Sequence, residues 1–128
     1  MKNKAIWALQ VLIAFAFLGA GGMKLSTPKD QLRANPQMAW SQDFSDGAIN
    51  AIASAQVAGA IGLVAPAATG ILPVLTPIAG VSLGVLMGGA VWTHVQRNEP
   101  PFVPLVLGVL AATAGLLRWR QRPGAAQR

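Results

Sequence analysis

Three long stretches of this 128-residue chain carry no Lys, Arg, Asp or Glu: 5–23, 47–96 and 100–117. A bilayer's hydrocarbon core takes about 20 apolar residues as helix, so stretches of 19, 50 and 18 residues predict one, two and one crossings. Helices satisfy every backbone group within the segment, which is why an uncharged run of this length survives in lipid. The chain is 53% hydrophobic and only 11% charged, whereas soluble domains hold about 25% charged residues. The expected fold is all-α, a single four-transmembrane-helix bundle over 1–128. The spans fall at about 5–23, 48–65, 74–95 and 101–119, with a polar loop at 24–47.

The charges are sorted along the chain. Lys2, Lys4, Arg118, Arg120, Arg122 and Arg128 lie at its two ends and carry the whole net charge of +6. Lys24, Lys29, Arg33 and Arg97 share the opposite membrane side with all four acids, Asp30, Asp43, Asp46 and Glu99. The positive-inside rule then predicts a multi-pass plasma-membrane protein with both termini cytoplasmic. A pI near 11.4 alone would suggest nucleic acid, but the basic residues flank apolar spans and form no basic stripe with interleaved aromatics. Basic ends beside a bilayer serve topology and anionic lipid, so the lipid bilayer, not nucleic acid, is the expected partner. The chain has no cysteine, which excludes disulfides, thiol relays and thiolate metal sites. A basic start before an apolar run also describes a signal peptide, but signal cores are only 7–15 residues long and this run is longer.

Prolines punctuate the spans. Pro66 is expected to end the second; Pro73 and Pro77 fall near the start of the third, and Pro101 and Pro104 in the first turn of the fourth, where a missing N–H is tolerated. In the loop, Trp40 and Phe44 stand four apart and are expected to anchor a short helix on the membrane surface. Gly80, Gly84 and Gly88 repeat at intervals of four in the third span, and Ala51, Ala55 and Gly59 do so in the second. Small residues on one face let backbones approach, so the two stripes predict contact between these neighbours, or between copies of the chain.

Ionisable groups inside a span mark function, because lipid exposure is costly. The spans hold none except His94, and Gln10 is the polar residue of the first. Proton-coupled transport normally needs an embedded carboxylate, so a transporter is the least favoured reading. Lys24, Asn50, His94 and Glu99 all fall at the non-cytoplasmic ends of the spans. Gln56 lies eight residues into the second, roughly 12 Å deep at 1.5 Å per residue. These five are expected to form a polar pocket open to the outside, in which His94 hydrogen-bonds or relays a proton near neutral pH. A single histidine makes no metal cage, so neither metal nor haem is expected, and no catalytic residue stands out.

The strings GGMKL (21–25), GAIGLVAP (59–66) and GVLMGGAVWTHVQRNEPPFVPLVLGVLAA (84–112), in this order and spacing, resemble the DoxX-like family of small four-helix membrane proteins. The resemblance implies a membrane subunit without established chemistry of its own. Relatives include a small subunit of thiosulfate:quinone oxidoreductases, parts of redox-stress complexes and assembly helpers. Family members commonly carry Glu where this chain has Gln56, while Lys24 and His94 match. Two functions follow: a non-catalytic accessory or scaffold subunit with a membrane-protein partner, and, as the alternative, a quinone-binding subunit of a redox complex.

Overall fold

A computed structural model describes residues 2–121; Arg122 and Arg128, counted above toward the basic side, lie outside the described residues. Five α-helices follow one another: α1 (Lys2–Ser26), α2 (Lys29–Ala34), α3 (Asp46–Thr69), α4 (Leu75–Gln96) and α5 (Phe102–Gln121). A 3₁₀ helix, Pro36–Asp43, lies between α2 and α3. α1, α3, α4 and α5 are each long and apolar enough to cross a membrane. They form a closed ring in which α4 packs most extensively on α5, α1 on α3, and α3 on α4, while α1 and α5 meet more narrowly. Ile13, Phe17, Ala60, Leu63, Leu83, Met87, Ala111 and Ala114 fill its centre. Large apolar side chains such as Phe15, Val85 and Val103 point outward, as they must where the surrounding solvent is lipid.

Helix ends follow local chemistry. Ser45 caps α3, its hydroxyl accepting from the Ala48 N–H at 3.1 Å, and Asp46 adds negative charge to the same first turn. Pro66, however, does not end this helix. α3 continues one turn further to Thr69 and closes on Gly70 in the left-handed region, φ 75°. The reason lies in the neighbouring helices. A proline at 66 leaves the Gly62 carbonyl without its helical donor. The buried Thr76 hydroxyl of α4 donates to that oxygen at 3.1 Å. The amide nitrogen of Gln10 in α1 donates to the next carbonyl, Leu63, at 2.5 Å. The Thr76 hydroxyl thus replaces the missing N–H, Gln10 adds a second tie from α1 at the same turn, and the helix survives its proline.

This substitution of donors is testable. Thr76→Val keeps the shape and removes the hydroxyl, and should cost about 1 kcal/mol, the usual net value of one hydrogen bond between membrane helices. In a Pro66→Ala background the alanine N–H bonds Gly62 directly, and the same change should cost nothing. A double-mutant cycle on unfolding in detergent measures the difference. Equal costs in both backgrounds would refute the account.

The small-residue stripes do not meet as expected. A β-carbon added at Gly80 would lie 2.7 Å from the Ala111 carbonyl oxygen and 2.7 Å from the Gly115 α-carbon, and one at Gly84 would lie 3.1 Å from the Ala112 β-carbon. The glycine face of α4 therefore receives α5, not α3. Ala51 and Ala55 are exposed, Gly59 instead faces the Leu83 side chain, and Gly88 has open space around it. α3 buries a different register, Ile49, Ala53, Gln56, Ala60 and Leu63. The true partner stripe is Gly108, Ala111, Ala112 and Gly115 of α5, whose i, i+3/i+4 spacing carries the same signal in the sequence.

Candidate functional site

At the end of the ring away from the termini, the bundle encloses a cavity of about 370 Å³. Its walls come from all four long helices and from the 3₁₀ segment. Most of the lining is apolar, including Ile52, Leu86, Met87 and Leu107; Lys24, Gln56, Thr93 and His94 supply polar groups.

The segment over the mouth is folded by its own polar contacts. Leu32 of α2 is 1% exposed, and α2 packs against the 3₁₀ helix. Arg33 pairs with Asp46 and donates to the Phe44 carbonyl at 3.0 Å. Trp40 and Phe44 do meet, edge to face at 5.6 Å, but they turn inward and line the cavity instead of anchoring a helix on the membrane surface. Inward packing removes two aromatic rings from water, the larger gain for this segment.

Lys24 sits on the last turns of α1 and is only 5% exposed. The helices bring it against α3 because Gly21, one turn earlier, allows close approach: a β-carbon there would lie 2.7 Å from the Ala53 carbonyl. Its ammonium donates to Gln56 Oε1 at 2.8 Å and stands 5.7 Å from the centre of the Trp40 ring. No carboxylate pairs with it among the described residues.

His94 reaches the site through the turn that ends α4. Asn98 adopts the left-handed conformation, φ 57°, which a short polar side chain tolerates better than most. With it, the Glu99 N–H bonds the His94 carbonyl at 2.8 Å and the Asn98 N–H bonds Val95 at 3.1 Å, the two bonds of a Schellman closure. That closure folds Glu99 back beneath the histidine. One carboxylate oxygen meets His94 Nδ1 at 2.9 Å, and the other accepts from Arg97 Nε at 3.1 Å. Arg97 also donates to Asp43 at 2.7 Å, tying the turn to the segment over the mouth. The Arg97 guanidinium first, then the His94 ring, hold the Glu99 carboxyl below its usual range, against the opposing effect of desolvation. Glu99 is therefore an anion near neutral pH, and an anion only accepts. In the neutral imidazole the single ring proton therefore lies on Nδ1, facing the carboxylate, and Nε2 carries the lone pair.

Of the five residues expected to build a pocket, Lys24, Gln56 and His94 line one cavity. Glu99 stands behind His94 rather than in the wall, and Asn50 is exposed and outside it. Gln10 and Arg118 form a second polar centre that sequence reasoning missed. Arg118 Nε donates to Gln10 Oε1 at 2.6 Å, and its guanidinium lies 4.9 Å from the Trp7 ring. No group of three or more His, Asp or Glu side chains could hold a metal ion among the described residues.

The sequence model of the DoxX-like family matches residues 8–116, a range that contains every residue named above for the two polar centres except Trp7 and Arg118. Searches among curated proteins and among solved structures found no match.

Proposed function

The chain belongs to the DoxX-like family, and from that premise we propose that it is an accessory membrane subunit that binds a quinone-type ligand in the cavity beneath the 3₁₀ segment. One observation carries this reading above that of a plain scaffold: the Lys24 ammonium is buried in an apolar cavity with a neutral amide as its acceptor. A buried ammonium without a counter-charge costs several kcal/mol, which packing between helices does not require. Relatives commonly place an acid at the position of Gln56, and an acid would neutralise the cation. Here the charge stays available to an electron-rich oxygen brought by a ligand. A quinone has such an oxygen on a flat apolar ring, matching the cavity's few polar groups and its Trp40, Phe44 and Leu86 walls. Its hydrophobic tail belongs in the bilayer, from which a site bounded by transmembrane helices is loaded.

In this reading the cavity opens on the non-cytoplasmic side, an orientation that the excess of basic residues at the termini supports. The protein supplies a binding site, and a partner in the membrane supplies the electron transfer.

The test is equilibrium binding of a decyl-tailed benzoquinone to the purified protein in lipid nanodiscs. Saturable binding should appear and weaken about tenfold or more in Lys24→Met, since hydrogen bonds to charged groups are worth about 1.5–3 kcal/mol. Absence of binding, or the same affinity in Lys24→Met, would overturn the proposal.

A further inference from the structure

The cavity holds its polar groups in an unequal arrangement. Lys24 is a donor only. The neutral imidazole of His94, whose Nδ1 is committed to Glu99 at 2.9 Å, has Nε2 left to offer as an acceptor. The commitment is enforced from outside: Glu99 is itself held by Arg97 at 3.1 Å, and Arg97 by Asp43 at 2.7 Å. The Thr93 hydroxyl spends its proton on the Gly89 carbonyl at 3.0 Å and adds no donor. A ligand that only accepts would satisfy Lys24 and leave the Nε2 lone pair facing an apolar ring. A buried acceptor left unpaired is costly, more so than the average bond is favourable.

We propose that the cavity selects the reduced, hydroxyl-bearing form of its ligand, a hydroquinone or phenol, whose O–H donates to Nε2 of His94 while another ring oxygen accepts from Lys24. This rests on the proposed binding of a quinone-type ligand and adds which redox form the site prefers. Glu99 is the positioning residue: it touches no ligand and acts by fixing the histidine tautomer. No electron moves in the binding step. The preference instead makes the site a holder of reduced carrier, for oxidation by a membrane partner.

The experiment compares a decyl-tailed benzoquinone with its hydroquinone, kept reduced under anaerobic dithionite, on the wild-type protein in nanodiscs. The hydroquinone should bind roughly threefold to tenfold more tightly, the value of one hydrogen bond. Glu99→Gln supplies the decisive readout. With Arg97 taking the carboxamide oxygen, the carboxamide nitrogen donates to Nδ1, the ring proton moves to Nε2, and the preference should shift toward the quinone. His94→Phe should erase the difference between the two forms while retaining binding of both through Lys24 and the apolar wall. Thermal unfolding of each variant separates this pattern from simple loss of structure. Equal affinity of the wild-type protein for the two forms would overturn this inference and leave quinone binding intact. So would a hydroquinone preference unchanged in Glu99→Gln and His94→Phe. Failure of both forms to bind would overturn the functional reading, and this inference with it.

Discussion

Gly115→Leu is expected to abolish the stable bundle. α4 and α5 approach so closely that a β-carbon at Gly115 would lie 2.8 Å from the Pro77 carbonyl oxygen and 3.1 Å from the Gly80 α-carbon. Carbon atoms pack best at about 3.5–4.0 Å, and both obstructing atoms are backbone, which cannot rotate aside. Even one extra carbon in a packed interface costs about 1–3 kcal/mol; leucine adds three more and must drive the helices apart. Separation is severe in lipid, where van der Waals fit, not water exclusion, holds helices together. Gly88→Leu is the matched control, because nothing lies within 4 Å of a β-carbon added there. Size-exclusion profiles in detergent after stepwise heating should show the Gly115 variant aggregating at temperatures where the parent and the Gly88 variant stay monodisperse. Equal survival of both variants would refute this packing.

Gln10→Leu should have the second largest effect. The side chain is fully buried, gives its N–H to the Leu63 carbonyl and takes the Arg118 Nε proton. Leucine preserves volume and removes both bonds at once; the Leu63 carbonyl keeps the Ala67 N–H of its own helix, and the Arg118 Nε proton loses its acceptor. A lost neutral hydrogen bond costs about 1 kcal/mol and one to a charged group about 1.5–3 kcal/mol, while Arg118 keeps bonds to Asn3 and Gln121 and its contact with Trp7. A loss of about 2–4 kcal/mol in unfolding free energy follows. Arg118→Met in the same chain should restore part of it, since removing both partners is cheaper than removing one. Full additivity of the two substitutions would show that they do not interact.

Gln10 on one side, and Lys24 and His94 on the other, read differently from the sequence. Gln10 stands alone in the first span, where it looks like the residue an absent carboxylate leaves behind. In the structure it ties α1 to α3 at the Leu63 carbonyl, 53 positions later in the chain, and takes a proton from Arg118 of α5. No local pattern announces this, because the need is created in one helix and met from another. Lys24 and His94 were legible because charge and imidazole near a span's end are rare and costly in lipid. Depth brought them within reach of Gln56, and the facing of α1 on α3 completed the convergence. Asn50 has the right height and the wrong azimuth. Uncharged spans give almost no amphipathic signal, since lipid-facing and core-facing positions are equally apolar, and the same blindness led the glycines of α4 to be assigned to α3.

What the residues determine without a fold is therefore the vertical coordinate: which segments cross the membrane, and how deep each polar group lies. The hydrocarbon slab imposes that coordinate on every chain through the cost of burying charge and open backbone. The lateral coordinate was decided only by tertiary structure. It set which helix faces which, which face of each helix turns inward, and how Asn98 folds Glu99 beneath His94. Those choices rest on van der Waals fit and on single hydrogen bonds between distant segments: small-residue spacing marks a close face without naming the helix it receives, and the hydrogen bonds leave no periodic trace.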